Sequence, residues 1–504
     1  MENQATMESQ QSNNKLHVVF LPYPSAGHMN PMIDTARLFA KHGVDVTIIT
    51  THANASRFQK SIDSDISLGY SIKTKLLQFP ANEVGLPEGI ENTIDATSLE
   101  MLVKITIGVR MLQQSIEVLF KELQPDCIVT DMKYPWTVES AAKLNIPRID
   151  FYSSSYFSYC AIYFVRKYKP HYNLVSETQK FTIPCLPHTI EMTRLQLHNW
   201  ERENNAMTAI FEPMYESAER SYGSLYNSFH ELESDYEKLF KTTIGIKSWS
   251  VGPVSAWANK DDERKASRGH IEKSLGKHTE LLNWLNSKEN ESVLYVSFGS
   301  FTRLPYAQLV EIVHGLENSG HNFIWVIKRD DTDEDGEGFL QEFEERIKES
   351  SKGYIIWDWA PQLLILDHPA TGGIVTHCGW NSTLESLNAG LPMITWPIFA
   401  EQFYNEKLLV DVLKIGVPVG AKENKLWLDI SVEKVVRREE IEKTVKILMG
   451  SGQESKEMRM RAKKLSEAAK RTIEEGGDSY NNLIQLIDEL KSLKKSKALC
   501  NKQD

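Results

Sequence analysis

Residues 16–50 read LHVVFLPYPSAGHMNPMIDTARLFAKHGVDVTIIT, and their pattern predicts the fold class of the first half of the chain. Two runs rich in β-branched residues, Leu16–Leu21 and Val44–Thr50, predict buried strands, and the apolar spacing of Pro31–His42 predicts a helix between them. Pro31 suits a first helical turn, and Gly43 suits a helix end. A strand, a helix and a strand in this order form a crossover that makes the two strands parallel. The chain therefore opens with an α/β unit.

The second half of the chain repeats this alternation. Its expected strands are Val293–Ser297, Phe323–Ile327, Tyr354–Trp357, Ile374–His377 and Met393–Trp396, and its expected helices are Tyr306–Leu316, Leu340–Lys348 and Ser382–Asn388. With 504 residues the chain is longer than one hydrophobic core usually supports, so two domains are expected. The charged and poorly periodic residues 260–277 suit an exposed linker between them.

Composition excludes several classes of function. The net charge of -11, without a basic stripe, argues against nucleic acid as a partner. No apolar run approaches the roughly 20 residues of a membrane span, and the polar N-terminus has no apolar signal core. The five cysteines are widely spaced and form no C-x-x-C pair, which fits a reducing compartment. We therefore expect a cytoplasmic protein without a membrane span.

Several common enzyme motifs are missing from the sequence. The dinucleotide, P-loop and nucleophile-elbow patterns are absent, which argues against oxidoreductases, NTPases and serine hydrolases. Asp331, Asp333, Asp335, Gly336 and Glu342 match the spacing of an EF-hand calcium loop. That motif needs a helix before the loop, whereas the residues before Asp331 predict a buried strand. We therefore expect an acidic surface loop there, and no metal site.

Residues 359–402 read WAPQLLILDHPATGGIVTHCGWNSTLESLNAGLPMITWPIFAEQ, and this segment is distinctive enough to indicate one protein family. It resembles the signature of plant UDP-dependent glycosyltransferases of family 1. The resemblance covers most of the chain, because HMNP at 28–31, TDMKYPW at 130–136 and SFGS at 297–300 also match that family. It implies the GT-B fold, an α/β architecture of two facing Rossmann-like domains with parallel sheets.

The resemblance also implies that different parts of the chain bind the acceptor and the donor. We expect a disordered tail at 1–14, an acceptor-binding domain at 15–255, a linker at 256–285, a UDP-sugar-binding domain at 286–478, and a C-terminal helix and tail at 479–504. The expected partners are a UDP-sugar and a small lipophilic acceptor, and the expected state is a monomer.

The donor site is expected in the second domain. Gly379–Ser382 lie where a buried strand turns into a helix, so free N–H groups and the helix dipole suit a diphosphate. The resemblance assigns Ser300, His377, Asn381 and Ser382 to the diphosphate, Trp359 and Ala360 to uracil, Gln362 and Glu385 to ribose, and Trp380, Glu401 and Gln402 to the sugar. It also implies that no metal is required.

The acceptor side depends on His28 and Asp131, each of which follows a predicted strand at the carboxyl edge of the first sheet. An alcohol is a poor nucleophile at neutral pH, and a positioned base raises the rate by about 10²- to 10⁴-fold. Histidine titrates in the right range, and a carboxylate can fix its tautomer. The resemblance gives His28 the role of general base and Asp131 that of its partner.

The expected reaction is a direct displacement at the anomeric carbon, so an α-linked donor gives a β-linked product. The segments EMTRLQLHNW at 191–200 and GIKSWSVGPVSAWANKD at 245–261 resemble a subgroup that glycosylates triterpenoid aglycones and saponins, and that includes flavonoid enzymes. Gln402 favours glucose, since galactose-using members of the subgroup typically have histidine there. Glucuronic acid and galactose as donors, and a flavonoid acceptor, remain alternatives. A sugar-nucleotide-binding protein without catalysis is the rival from another class.

Overall fold

The computed structural model describes residues 15–268, 275–328, 334–425 and 435–500. Two parallel sheets with helices around them dominate these residues. The tail expected at 1–14 lies outside the described residues, as do Asp331 and Asp333 of the acidic loop. No described helix combines the length and the apolar character that crossing a lipid bilayer requires.

The first half of the chain forms a seven-stranded sheet and a small hairpin. Its strands are β1 (His17–Leu21), β2 (Asp45–Thr51), β3 (Ile72–Leu77), β4 (Cys127–Asp131), β5 (Arg148–Tyr152), β6 (Lys180–Thr182), β7 (Glu191–Thr193), β8 (Gly223–Tyr226) and β9 (Ser248–Ser250). The sheet order is β3-β2-β1-β4-β5-β8-β9, and every neighbouring pair is parallel. The antiparallel pair β6-β7 stands apart from it.

Helices connect these strands. They are α1 (Ala26–Lys41), α2 (His52–Ala55), α3 (Gln59–Ser67), α4 (Ala81–Val84), α5 (Leu99–Met111), α6 (Gln113–Leu123), α7 (Thr137–Lys143), α8 (Tyr156–Tyr168), α9 (Asn199–Arg202), α10 (Thr208–Glu219), α11 (His230–Leu239), α12 (Val254–Ala258) and α13 (Asp262–Ser267).

The second half forms a six-stranded sheet in the order β12-β11-β10-β13-β14-β15, again parallel throughout. Its strands are β10 (Val293–Ser297), β11 (Asn322–Ile327), β12 (Gly353–Trp357), β13 (Thr371–Thr376), β14 (Met393–Thr395) and β15 (Gly416–Pro418). Its helices are α14 (Leu275–Asn286), α15 (Tyr306–Ser319), α16 (Glu334–Glu349), α17 (Gln362–Asp367), α18 (Trp380–Ala389), α19 (Gln402–Lys407), α20 (Arg438–Met449), α21 (Gln453–Thr472) and α22 (Asp478–Cys500).

Both faces of each sheet are buried, which explains the continuous apolar runs in the strands. In β1, Val18 and Phe20 pack into one apolar cluster and Val19 and Leu21 into another. The residues of β10 likewise alternate between two clusters. The expected α/β class with parallel sheets is confirmed.

The last helix of the chain returns to the first half. The apolar face of α22, with Leu483, Leu486 and Leu490, packs into the cluster that holds β1 and β2. Ser479 Oγ donates to the carbonyl of Gly252 at 2.6 Å, and Lys494 Nζ contacts Asp126 Oδ2 at 2.9 Å. The end of the chain therefore holds the two halves together.

Three segments depart most clearly from their expected structure. Helix α1 begins at Ala26, so Pro31 lies inside the helix and not in its first turn. Helix α16 begins at Glu334, six residues before the expected start at Leu340. The stretch expected to be an exposed linker contains α13, and the Arg268 side chain after it is only 13% exposed. Local periodicity failed for α1 and for the linker because contacts with distant residues, Asn381 with Gly27 and Arg268 with Glu385, fix these segments.

Candidate active site

A cavity of about 420 Å³ lies between the two halves. Its walls follow the carboxyl ends of strands in both sheets, where open α/β sheets bind their ligands. Twelve of the residues named from the sequence line it: His28, Ser300, Trp359, Ala360, Gln362, His377, Trp380, Asn381, Ser382, Glu385, Glu401 and Gln402. The thirteenth, Asp131, lies behind His28. The structure thus brings all the expected residues to one place.

His28 and Asp131 form a hydrogen-bonded pair. His28 lies in the first turn of α1, with its side chain 20% exposed, and its Nδ1 is 2.9 Å from Asp131 Oδ2. Asp131 ends β4 and is fully buried, and its Oδ1 accepts a hydrogen bond from the Lys133 backbone N–H at 2.9 Å. A buried carboxylate held in this way stabilises a protonated imidazole.

Ser153 is a contact of His28 that the sequence analysis missed. Its Oγ is 2.9 Å from His28 Nδ1, so Ser153 and Asp131 approach the same nitrogen. Ser153 follows β5 at the same carboxyl edge as His28 and Asp131. This position after a strand is the sequence feature that could have identified Ser153. Nε2 of His28 has no hydrogen-bond partner among the residues the structure describes.

Asn381 connects the donor signature to the helix of His28. Its Nδ2 donates to the carbonyl of Gly27 at 2.8 Å. In α1 that carbonyl would normally accept from residue 31, but Pro31 has no N–H. The asparagine amide replaces the missing helical hydrogen bond, so the side chain of Asn381 crosses between the halves.

Helix α18 presents its amino terminus to the cavity. Gly379 is the N-cap residue, and no side chain caps this end among the described residues. The preceding Cys378 has a φ of 64°, a left-handed conformation that costs about 1–3 kcal/mol for a non-glycine residue. The uncapped N–H groups and the helix dipole suit a diphosphate.

The imidazole of His377 is enclosed between two glycines. A Cβ on Gly379 would be 2.3 Å from His377 Nε2, and a Cβ on Gly299, whose φ is +78°, would be 2.5 Å from Cε1. Burial lowers the pKa of His377 to about 4, so the ring is neutral at pH 7. Its Nδ1 is buried without a hydrogen-bond partner. Since a buried N–H donor without a partner is costly, we assign the proton to Nε2.

Gln362 and Glu385 form the next pair along the cavity. Gln362 Nε2 donates to Glu385 Oε2 at 2.6 Å, and Gln362 Oε1 accepts from the Tyr295 hydroxyl at 3.3 Å. The other oxygen of Glu385 accepts from Arg268 Nη1 at 2.5 Å. Arg268 was missed by the sequence analysis, and no local pattern in its charged segment identifies it.

Glu401, Gln402 and Trp380 make their own contacts at the cavity. Glu401 Oε1 accepts from Ser154 Oγ of the first half at 3.0 Å. Gln402 Oε1 accepts from the backbone N–H groups of 398 and 399 at 2.9 and 3.0 Å, which leaves its amide nitrogen to donate. The Trp380 indole N–H donates to the Asn227 carbonyl at 2.8 Å.

Ser300, Trp359 and Ala360 lie on loops that follow β10 and β12. Lys328 Nζ donates to the carbonyl of Ser300, which holds the first of these loops. Asp358, just before Trp359, has a φ of 69°, so the chain turns sharply out of β12 there. The turn brings the indole to the cavity wall.

The first-half wall of the cavity is largely aromatic. It includes Tyr152 of β5, Trp200 of α9, and Phe211 and Tyr215 of α10. Trp200 and Phe211 stack with ring centroids 5.2 Å apart, and Lys133 Nζ lies 4.6 Å from the Phe211 centroid. Burial lowers the pKa of Lys133, although Asp131 and Glu401 oppose that effect. This wall suits a large apolar ligand with polar groups.

No group of three or more His, Cys, Asp or Glu residues within the described ranges could hold a metal ion. The idea that transfer needs no metal therefore stays a prediction from the resemblance.

Two parallel-sheet domains that face a shared cavity, with an uncapped helix and a signature loop on one side, define a GT-B glycosyltransferase. The model of the family described as UDP-glucoronosyl and UDP-glucosyl transferase matches residues 95–439. The chain belongs to this family and is a UDP-dependent glycosyltransferase.

Individual relatives agree with this assignment. Soyasapogenol B glucuronide galactosyltransferase of Glycine max is 55% identical, with 97% of this chain and 98% of the relative covered. Scopoletin glucosyltransferase of Nicotiana tabacum is 46% identical, with 94% and 98% covered. The crystal structure of Glycyrrhiza uralensis UGT73P12 complexed with glycyrrhetinic acid 3-O-monoglucuronide superposes with a TM-score of 0.93 at 51% identity, with 97% and 98% covered. The expected GT-B fold is confirmed.

Proposed function

We propose that this enzyme transfers glucose from UDP-glucose, with inversion, to a hydroxyl of a triterpenoid aglycone or saponin. The observation that carries the proposal is the shared cavity at which the His28–Asp131 pair and the donor signature meet. A protein that only binds sugar nucleotides has no need of a base and a buried carboxylate at that place.

The proposed reaction is one displacement. His28 Nε2 takes the proton of the acceptor hydroxyl while its oxygen attacks the anomeric carbon, and the bond from that carbon to the diphosphate oxygen breaks. The negative charge passes to UDP, and the positive charge on His28 is stabilised by Asp131. An α-linked donor then gives a β-linked product, without a covalent intermediate on the protein.

The proposed donor contacts follow the geometry of the second half. The amino terminus of α18, with Ser382 and the Nε2–H of neutral His377, holds the diphosphate together with Ser300. Asn381 contributes its backbone, because its amide is already bonded to Gly27. Trp359 and Ala360 receive uracil, and Gln362 and Glu385 the ribose.

Glucose is the proposed sugar because Gln402 stands where galactose-using members of the subgroup typically have histidine. Its carbonyl oxygen is occupied by two backbone N–H groups, so its amide nitrogen is left to donate to a sugar hydroxyl, next to the acceptor oxygens of Glu401. Trp380 lines the same part of the cavity. A relative at 55% identity is a galactosyltransferase, which keeps galactose as an alternative, along with glucuronic acid.

The triterpenoid acceptor is supported by the aromatic wall and by two relatives. One relative acts on a soyasapogenol glucuronide, and another was crystallised with a glycyrrhetinic acid glucuronide. A flavonoid or another phenolic acceptor remains the alternative, since a flavonoid glucosyltransferase of Fragaria ananassa is 44% identical.

The remaining proposals concern the whole chain. Residues 15–255 bind the acceptor and 286–478 the UDP-sugar, with 256–285 as the connection and 479–504 as the C-terminal helix and tail. The enzyme acts as a cytoplasmic monomer that needs no metal and no nucleic-acid partner.

The test offers the purified protein UDP-glucose, UDP-glucuronate and UDP-galactose in turn, with triterpenoid aglycones, their glucuronides and flavonols as acceptors. Products are identified by mass and by the anomeric coupling constant. A β-glucoside of a triterpenoid is expected. A product from another sugar alone overturns the proposed donor, and an α-linked product overturns inversion. UDP binding without product from any acceptor favours the non-catalytic rival.

A further inference from the structure

Arg268 joins the two halves of the protein through two buried carboxylates. Its Nε donates to Asp34 Oδ2 at 2.9 Å, and its Nη1 donates to Glu385 Oε1 at 2.5 Å. Asp34 lies on α1, six residues after His28, and Glu385 lies on α18. The side chains of Asp34 and Glu385 are each 4% exposed.

The Asp34 end of this bridge is held independently of Arg268. Asp34 Oδ1 accepts from Asn259 Nδ2 at 3.1 Å and from Arg37 Nη1 at 3.4 Å. Arg37 is in turn fixed by Asp65, whose Oδ2 accepts from Arg37 Nε at 2.6 Å. Arg268 therefore connects Glu385 to a rigid buried network of the first half.

The Glu385 end has capacity left for a ligand. A carboxylate has about four lone-pair positions, and Arg268 and Gln362 occupy one on each oxygen. Glu385 lines the cavity, so its remaining positions can accept from hydroxyl groups there. Without Arg268, this buried carboxylate would lose its cation and the hydrogen bond that fixes its orientation.

We propose that Arg268 is a positioning residue for the UDP-sugar: it fixes the carboxylate of Glu385 so that Glu385 accepts a hydrogen bond from the 2′-hydroxyl of the ribose. This inference rests on the proposed role of Glu385 in the donor site. It also gives the connecting segment a function, because the ribose contact becomes linked to the helix that carries His28.

The test compares the binding of UDP and 2′-deoxy-UDP by calorimetry. The wild type prefers UDP. Arg268→Met weakens UDP binding by about tenfold, the value of a hydrogen bond to a charged group, and 2′-deoxy-UDP binding by less than about twofold. The preference of Arg268→Met for UDP over 2′-deoxy-UDP thereby falls to that of the Glu385→Ala variant. A residue that only supports the fold would weaken both ligands equally, and that result overturns the proposal.

Two further variants control the experiment. Arg264 lies in the same segment, and its guanidinium contacts Asp65 and Asp261 but not Glu385. The Arg264→Met variant should therefore keep the wild-type preference for UDP over 2′-deoxy-UDP. Arg268→Lys keeps a cation but cannot bridge two carboxylates, so it lowers the preference partially, and it carries the test if Arg268→Met does not fold.

The remaining outcomes separate this inference from the proposed function. If Glu385→Ala removes the preference and the Arg268 variants keep it, the role of Arg268 is wrong and the donor site stands. Tighter UDP binding by Arg268→Met would mean that Arg268 competes with ribose, which also overturns the proposal. A wild type that does not distinguish the ligands overturns the role of Glu385 and this inference with it.

Discussion

The contacts of His28 assign different tasks to the two nitrogens of its imidazole. Asp131 and Ser153 both approach Nδ1, whereas Nε2 has no partner among the described residues. A proton on Nδ1, donated to the buried carboxylate, leaves the lone pair on Nε2. Nε2 is therefore the atom that can take the proton of the acceptor.

Replacing His28 should separate catalysis from donor binding. We expect His28→Ala to lower kcat by about 10²- to 10⁴-fold, the contribution of a positioned base. The Kd for UDP should stay unchanged, because the proposed UDP contacts lie in the second half. Asp131→Asn should also lower kcat, since it keeps the shape but not the charge. Steady-state kinetics and calorimetry measure the two quantities.

The control for these variants is His230→Ala, which removes a histidine that is 54% exposed and outside the cavity. It should keep wild-type kinetics. Near wild-type turnover by His28→Ala would contradict the general-base role, and a parallel loss of UDP binding would indicate a structural defect.

The lowered pKa of His377 makes the stability of the protein depend on pH. Below pH 6.5 the unfolded chain protonates this histidine, whereas the folded protein does so only near its pKa of about 4. The free energy of unfolding therefore falls as pH decreases from 6.5 to 4, by up to about 1.4 kcal/mol per pH unit for one proton. The His377→Gln variant should show a shallower decrease over this window.

Urea unfolding at several pH values between 4 and 7.5 measures this difference in slope. The comparison concerns slopes and not absolute stabilities, because the substitution also changes packing between the two glycines. Parallel curves for the wild type and His377→Gln would show that this imidazole titrates normally in the folded protein.

The sequence predicted the site residues to different degrees. The donor residues 359–402 were predicted because a contiguous signature carries their spacing. Ser153 and Arg268 were missed, because their closeness to His28 and Glu385 results from the packing of distant segments. The aromatic wall could not be read from local periodicity for the same reason, since its residues come from one strand and two separate helices.

At the scale of elements, the start of α18 depends on glycines on both sides of His377. The methyl group of Gly379→Ala would clash with Nε2 of His377. The methyl group of Gly299→Ala would clash with Cε1 of the same ring, and the positive φ of residue 299 adds backbone strain. Each substitution displaces the imidazole, so we expect the Kd for UDP to rise about tenfold or more, the loss of a charge-assisted hydrogen bond. Calorimetry with UDP measures this.

Gly338 provides the matched control. It lies in α16, and a Cβ there meets no atom within 4 Å. Gly338→Ala should leave the Kd for UDP unchanged and stabilise the helix by up to about 1 kcal/mol. Unchanged UDP binding in Gly379→Ala and Gly299→Ala would contradict the role of His377 in the donor site.

The observed bounds of the strands and helices show where the apolar periodicity of the sequence predicts them correctly and where it does not. The five strands expected in the second half lie within three residues of their observed ends, because buried parallel strands are continuous apolar runs. Helices α1 and α16 begin earlier than expected, because their first turns contain Gly27 and Gly336, which weaken the helical pattern. The first turn of α1 is fixed by a tertiary contact from Asn381.

At the scale of the molecule, the alternation of strands and helices was sufficient to predict two α/β domains. It could not predict how the halves meet, because no local pattern encodes contacts such as Ser154 with Glu401 or Trp380 with Asn227. These hydrogen bonds place acceptor-side and donor-side residues around one cavity. Helix α22 adds a further connection, because it follows the second half in the chain and packs against the first half.

This arrangement predicts that the two halves unfold together. Leu486 on α22 is fully buried in the cluster that holds β1, so Leu486→Ala should lower the free energy of unfolding by about 2–5 kcal/mol. Leu499, on the same helix but 65% exposed, is the control, and Leu499→Ala should change stability by less than about 0.5 kcal/mol.

In calorimetric scans, both variants should keep a single unfolding transition. UDP at 100 times its Kd should stabilise all of it by about 2.7 kcal/mol, although UDP contacts mainly the second half. Two separate transitions, with only one shifted by UDP, would show that α22 and the cavity contacts do not couple the halves.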